Sequence, residues 1–290
     1  MSARANIHRK KKVMAELKIA KNEMQVFETV AGFMAWRKSL VGGATLGFVP
    51  TMGALHAGHA SLLERARAEN AFVVLSIFVN PTQFNQASDL ENYPRSLESD
   101  LATAREAGVD AVLLPKNPGE LYPDGYRYRV SENEFSKELC GAHRPGHFDG
   151  ALTVVLKLFG LARATRAYFG EKDYQQLSLI REMAGAFFLD TEVVGCPTVR
   201  ESDGLAMSSR NARLRESDRK IASKLHTAMS EIADLAAARR AVEAEGFRID
   251  YLEDRALPSG ETRRFAAAFL GDVRLIDNVS LSGDRTSGAM

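Results

Sequence analysis

Gly47-Phe48-Val49-Pro50-Thr51-Met52-Gly53-Ala54-Leu55-His56-Ala57-Gly58-His59-Ala60-Ser61 carries an apolar run into a glycine-punctuated turn and out again into helical spacing. Ala44 to Pro50 reads as a short strand closed by proline, and Ser61 to Glu69 sets Leu62, Leu63 and Ala66 on one helical face. Gly53 and Gly58 suit the turn between them. A helix starting near Gly58 presents unpaired N–H groups and the positive end of its dipole, which favours an anion such as a nucleotide phosphate. His56 and His59 add ring donors at the same place. The two histidines equally fit a solvated surface pair or half of a zinc site, although no His-Glu-x-x-His or Cys-x-x-Cys run accompanies them.

Working outward, strand-like and helix-like runs alternate: Ala44 to Pro50, Ser61 to Glu69, Phe72 to Val79, Ser96 to Ala107, Val109 to Leu114, Leu152 to Arg163. That alternation favours an α/β fold, a doubly wound parallel sheet covered by helices on both faces. Ligands of such sheets bind beyond the carboxyl ends of the strands, where His56, Asn80 and Gly170 fall. Pro197 ends this half. A helical run from Glu216 to Glu245 follows, then strand-like segments at Phe247 to Ala256, Ala267 to Leu270 and Val273 to Leu281. These suggest a second, smaller α+β C-terminal domain. The expected organisation is therefore 24–197 and 198–290, preceded by residues 1–23.

Two further clusters share the chemistry of the first. Phe169-Gly170-Glu171-Lys172-Asp173-Tyr174-Gln175-Gln176 lies where a strand ending at Phe169 meets a helix over Leu177 to Phe188. Lys172 offers a mobile charge for phosphate, and Asp173 can accept from backbone N–H groups or a ribose hydroxyl. Gln176 stands at helical spacing from both. Asp203-Gly204-Leu205-Ala206-Met207-Ser208-Ser209-Arg210-Asn211 follows a strand expected over Glu192 to Val199. Its two hydroxyls and its guanidinium suit a triphosphate. A solvated helix start and a polar capping loop are the plainer readings of these two stretches.

Four anchors in order make the chain resemble the pantoate–beta-alanine ligase family, adenylate-forming nucleotidyltransferases related in fold to class I aminoacyl-tRNA synthetases. They are Pro50 to His59, Phe78-Val79-Asn80-Pro81-Thr82-Gln83-Phe84, Gly170 to Gln176 and Met207 to Asn211. The first corresponds to the His-x-Gly-His signature of that superfamily, the last to its mobile phosphate loop, with arginine after the serines. The resemblance spans about Val26 to near Leu281 and implies a Rossmann-like first domain. It also implies two steps: pantoate attacks the alpha-phosphate of ATP to give pantoyl adenylate and pyrophosphate, and beta-alanine then displaces AMP.

The resemblance implies site residues as well. His59 would be the proton donor, acting with His56, Lys172, Ser208, Ser209 and Arg210 on the phosphates. ATP would be bound by Met52, Gly53, Ala54, Leu55, His56, Ala57, Gly58, His59, Gly170, Glu171, Lys172, Asp173, Val199, Met207, Ser208, Ser209 and Arg210. Pantoate would meet Gln83, Gln176, Asn80 and Arg144, with Gln83 also near beta-alanine. Without the resemblance, Asn80 and Gln83 read as turn residues around Pro81. Mg2+ is implied as the companion of ATP, with no protein ligand indicated, no tightly bound organic cofactor and a homodimer as the assembly.

Composition agrees with this reading. The 290 residues are 45% hydrophobic and 26% charged, enough for a sizeable core, and the net charge is only +1. That balance argues against a protein whose main partner is nucleic acid. Cys140 and Cys196 show no metal spacing, which fits a reducing cytoplasm, and no apolar stretch approaches the roughly 20 residues of a membrane span. In residues 1–23, Arg4, Arg9, Lys10, Lys11, Lys12, Lys18 and Lys21 face only Glu16 and Glu23. This segment reads as a flexible basic extension or an upstream start, with a nucleic-acid arm or import segment as the lesser alternative. Two rival functions remain at this level: a zinc hydrolase using His56 with His59 and His143 with His147, and another nucleotidyltransferase of the same superfamily or a member that binds nucleotide without catalysis.

Overall fold

The computed structural model describes residues 23–40 and 42–281. The basic extension expected over residues 1–23 thus falls almost wholly outside the described residues. The first part of the chain runs β1 (Gln25–Phe27), α1 (Val30–Ser39), β2 (Leu46–Thr51), α2 (Ala57–Glu69), β3 (Phe72–Ile77), α3 (Ala87–Glu91) and α4 (Leu97–Glu106). It continues with β4 (Ala111–Leu113), α5 (Leu139–His143), α6 (His147–Ala162), β5 (Arg166–Gly170), α7 (Tyr174–Ala186) and β6 (Glu192–Cys196). Then come α8 (Glu216–Ala222), α9 (Lys224–Glu231), α10 (Leu235–Ala244), β7 (Arg248–Ala256), β8 (Thr262–Leu270) and β9 (Val273–Ser280).

The first six strands form one parallel sheet in the order β1-β4-β3-β2-β5-β6. β3 reads Phe-Val-Val-Leu-Ser-Ile and is buried almost throughout, the pattern of a strand covered on both faces. Its alternate residues go to different cores. Val73, Leu75 and Ile77 meet Leu62, Leu63 and Ala66 of α2 and Ala104 of α4, whereas Val74 packs with Phe33 of α1, Leu152 of α6 and Ile180 of α7. The sheet is therefore doubly wound. From β2 the chain proceeds outward through β3 and β4, then returns to lay β5 on the other side of β2. This reversal opens a crevice at the carboxyl ends of β2 and β5, the place where such sheets hold ligands.

Past Pro197, β7, β8 and β9 form an antiparallel sheet with a bulge between Ile249 and Tyr251. Leu225, Met229, Ala238 and Val242 of the helices pack on Leu252, Ala266, Ala268 and Leu275 of that sheet. The helical run expected over Glu216 to Glu245 is divided into α8, α9 and α10. Its sharpest break follows Glu231: Ile232 turns extended, and Asp234 restarts the helix by accepting from the Ala237 N–H at 2.6 Å. Arg264, fully buried, donates to the released carbonyls of Ile232 and Ala233 at 2.6 and 2.8 Å. Its charge is matched by Asp254 through two hydrogen bonds at 2.6 and 2.9 Å. Among the described residues no helix is long and apolar enough to cross a membrane.

Removing Asp254 would strand a buried guanidinium. Asp254→Ala should therefore lower stability by about 3 kcal/mol, read as the shift of a urea midpoint followed by circular dichroism. An unchanged midpoint would show that the carbonyls alone satisfy Arg264.

Candidate active site

His56 is the N-cap of α2, and its ring Nδ1 accepts from the Gly58 N–H at 3.1 Å. His59, one turn in, returns the interaction: its Nδ1 accepts from the His56 N–H at 3.3 Å. The pair forms a reciprocal cap in the roles usually filled by a hydroxyl and a carboxylate. With each Nδ1 acting as acceptor, the hydrogen-bond network assigns the proton of each neutral ring to Nε2. The rings stack at 4.1 Å between centroids and line one cleft. Burial, with the charges of His56 and Lys172 added, lowers the His59 pKa to about 3. Burial and Lys172 lower that of His56 to about 4. Both rings are thus neutral N–H donors at pH 7.

The loop before them is held from behind. Gly53 and Ala54 adopt φ of 82° and 51°, the left-handed region that glycine tolerates and alanine does not favour. Asp100 of α4 stabilises this turn: its two oxygens accept from the Ala54 and Leu55 N–H groups at 2.9 and 2.8 Å, and from the Ser96 hydroxyl at 3.0 Å. Gly53, Ala54, Leu55 and Ala57, expected around ATP, accordingly do not line the cleft, whereas Met52, His56, Gly58 and His59 do. Asp100 is 2% exposed and was not singled out from sequence. Its only signal there is a carboxylate at a core-facing position of an amphipathic helix.

Gly170, Lys172 and Asp173, at the end of β5, form the facing wall. Lys172 and Asp173 pair at 3.5 Å. Enclosure would raise the Asp173 carboxyl, but Lys172 and Arg210 outweigh it and hold the group below its ordinary value. Glu171 departs from its expected ATP contact: its side chain does not line the cleft, and its Oε1 lies beside Gly195 of β6. Its carbonyl has another use. Asn278 of β9 donates to the carbonyls of Glu171 and Lys172, each at 2.9 Å, so the antiparallel sheet holds the turn that carries Lys172. Asn278 is a second residue that the sequence did not mark.

The third wall is the loop from Val199 to Asn211. The Met207 N–H donates to the Val199 carbonyl at 3.0 Å, and Val199, Met207, Ser208, Ser209 and Arg210 all line the cleft. Ser208 caps the short 3-10 turn Ser209–Arg213 by accepting from the Arg210 N–H at 3.3 Å. The loop docks across the opening. Ser209 Oγ lies 3.4 Å from the Tyr93 hydroxyl, and Arg210 and Arg213 each donate to Asp89 of α3, at 2.9 and 3.0 Å.

Gln83 sits on the 3-10 turn Pro81–Gln83, against which α6 packs at Gly150, where a Cβ would collide with the Thr82–Gln83 backbone. Its side chain is fixed at both ends: Nε2 donates to Met52 Sδ at 3.1 Å, and Oε1 accepts from Asn80 Nδ2 at 3.1 Å. Asn80 is 1% exposed and fully used, donating also to the Gly150 carbonyl and accepting from the Tyr122 and Thr82 hydroxyls. Asn80 thus braces Gln83 and at the same time borders the cleft, as the pantoate contact expected of it requires. Arg144 and His147 hold the Gln83 carbonyl, at 3.3 and 2.8 Å. Arg144 lines an adjoining chamber rather than the cleft, whereas Lys172, Asp173, Gln176, Ser208 and Arg210 border both. The cleft encloses about 220 Å³ and the chamber about 440 Å³.

The two histidine pairs do not converge. His143 pairs with Asp250 at 2.8 Å, and His147 is engaged by Arg144 and Gln83. Among the described residues no group of three His, Cys, Asp or Glu side chains is placed to hold a metal. The geometry thus offers the zinc hydrolase alternative no ligand set.

Comparison with known proteins identifies the family. The family model described as Pantoate-beta-alanine ligase matches residues 25–280. A pantothenate synthetase of Bdellovibrio bacteriovorus is 55% identical over 257 residues, covering 89% of this chain and 99% of that one. One from Legionella pneumophila is 50% identical over 258 residues, covering 89% and 100%. Among solved structures, a pantoate-beta-alanine ligase from Francisella tularensis, complexed with beta-gamma ATP and beta-alanine, superposes with a TM-score of 0.83 at 40% identity, covering 89% and 98%. A pantothenate synthetase from Thermus thermophilus gives 0.82 at 45% identity, covering 88% and 99%. Matched over this range and at these identities, the chain belongs to the pantoate–beta-alanine ligase family.

Proposed function

We propose that the protein condenses pantoate with beta-alanine at the expense of ATP, through a pantoyl-adenylate intermediate, releasing pyrophosphate and AMP. One observation carries this reading: two neutral Nε2–H donors, Lys172 and the Ser208–Arg210 loop converge on a single cleft at the sheet's switch point. A pantoate carboxylate oxygen attacks the alpha-phosphorus, and the bond to the bridging oxygen breaks. Pyrophosphate leaves with the electron pair. Charge builds on phosphate oxygens throughout, so donors already aimed at them lower the barrier without reorganising. His59 and His56 donate through Nε2–H, and Lys172, Ser208, Ser209 and Arg210 take the triphosphate. Arg210 exchanges Asp89 for phosphate in doing so.

Pantoate fits the inner end of the cleft. Val154, Val155 and Leu158 of α6 supply apolar wall for its two methyl groups, and Gln83 and Gln176 supply amides for its hydroxyls and carboxylate. In the second step the amine of beta-alanine forms the C–N bond at the acyl carbon. The bond from that carbon to the phosphate oxygen breaks, AMP leaves with the electron pair, and the amine, attacking as the free base, gives up one proton to water and keeps the other as the amide N–H. Magnesium arrives with ATP as part of the substrate. There it would screen the phosphate charge and ease departure of pyrophosphate. In this reading residues 24–197 bind nucleotide and pantoate, residues 198–290 act as a lid over ATP, and the enzyme works as a cytoplasmic homodimer.

Purified protein should catalyse pantoate-dependent exchange of pyrophosphate into ATP with magnesium and without beta-alanine; ATP binding without such exchange would overturn the substrate assignment. His59→Ala should fold normally and lose about 10²-fold or more in that exchange. Near-normal exchange would remove His59 from the catalytic group.

The buried imidazoles also set a pH dependence of stability. His147 is 8% exposed, and burial together with Arg144 lowers its pKa to about 3. The unfolded chain takes up this proton below about pH 6.5 and the native protein does not, so the contribution is full above that pH and lost as pH falls towards 3. Between pH 7.5 and 5 the loss from this one group is about 2 kcal/mol. Urea midpoints of wild type and His147→Gln should therefore converge towards pH 5; parallel curves would show that His147 is not neutral in the native state.

A further inference from the structure

Arg144 stands between α5 and α6, where the cleft gives way to the larger chamber. Its Nη1 donates to His147 Nε2 at 3.1 Å and its Nη2 to the Gln83 carbonyl at 3.3 Å. A guanidinium has five N–H donors, so three remain. The other arginines of the chamber mostly have carboxylate partners: Arg210 and Arg213 hold Asp89, and Arg274 holds Asp250. Among the described residues Arg144 has none at ion-pairing distance. Groups of both signs surround it. Burial and Arg210, with Arg274 adding to them, lower its pKa to about 10, while Cys140 and Asp89 act in the opposite direction. It is still protonated at pH 7. A partly buried guanidinium with free donors and no carboxylate partner marks a place for an anion.

The position of Arg144 identifies that anion. His56, His59, Met207 and Ser209 border the cleft alone, whereas Arg144 borders the chamber alone. A group bound by Arg144 is therefore not the part of the substrates that faces the histidines. Arg144 is instead tied to the main chain of Gln83, whose side chain reaches the inner cleft. An amino acid whose amine meets an acyl carbon beside Gln83 extends its carboxylate, two carbons on, into the chamber.

We propose that Arg144 receives the carboxylate of the amino-acid substrate and so selects beta-alanine over amines that lack this charge. This rests on the ligase reading above, and it reassigns Arg144 from the pantoate contact that the sequence suggests. The two half-reactions separate the possibilities. Wild type, Arg144→Ala and Arg144→Lys are compared in pantoate-dependent pyrophosphate exchange, which contains no amino acid. They are then compared in steady-state turnover with beta-alanine and with propylamine, the analogue without a carboxylate.

Arg144→Ala should keep exchange within about threefold of wild type and raise the KM for beta-alanine by about 30-fold or more, the scale of one charged hydrogen-bonded contact. Turnover of propylamine should be unchanged, and Arg144→Lys should recover part of the beta-alanine KM. Loss of exchange in Arg144→Ala would overturn the proposal in favour of a pyrophosphate or pantoate contact. An equal fall with beta-alanine and propylamine would overturn it in favour of a structural role for Arg144. Absence of pantoate-dependent exchange in wild type is a separate outcome that overturns the ligase reading, and the proposal with it.

Discussion

The Nδ1 atoms of His56 and His59 are committed to the start of α2, and the chemistry available in the cleft depends on that commitment. A helix N-terminus needs acceptors for its first N–H groups. Here the acceptors are the imidazoles themselves, so the protons of the neutral rings sit on Nε2. Satisfying the helix and preparing the donors are thus one interaction. Burial reinforces it by keeping both rings uncharged, which preserves the acceptor at Nδ1.

Around this pair the fold supplies supports for the residues that line the cleft. Asp100 holds the left-handed turn at Gly53 and Ala54, and Gly150 lets α6 approach the Pro81–Gln83 turn closely enough for Asn80 to brace Gln83. The antiparallel sheet contributes through Asn278, whose amide holds the carbonyls on either side of the Glu171–Lys172 peptide junction. A movement of that sheet would be transmitted to Lys172. The Asp89 contacts of Arg210 and Arg213 act on the opposite side, joining the phosphate loop to α3.

Much of this was legible in the chain. The alternation of apolar and helical runs indicated a parallel sheet, because a strand covered on both faces must be apolar almost throughout, as Phe72–Ile77 is. The ends of β2 and β5 were recognisable by glycines and by His56, His59, Lys172 and Asp173. The break after Glu231 was not, because it depends on Arg264, more than thirty residues further on, taking the carbonyls that the helix releases. Asn80 and Gln83 looked alike in sequence, as two amides flanking Pro81. Only the packing of α6 and Tyr122 made Asn80 a brace for Gln83, and both amides border the cleft.

By itself the sequence determined the fold class, the order of the strands' ligand-bearing ends and the family, since periodicity and short motifs are local properties. The tertiary structure decided which members of each motif face the cleft. Gly53 to Leu55 are turned towards Asp100, Glu171 lies beside Gly195, and Arg144 opens onto the chamber. The reason is that a side chain's direction and its partners are set by groups distant in the chain. Asp100, Asn278 and Asp89 act on loops between about 45 and 120 residues away, a reach of hydrogen bonding and burial that no local pattern encodes.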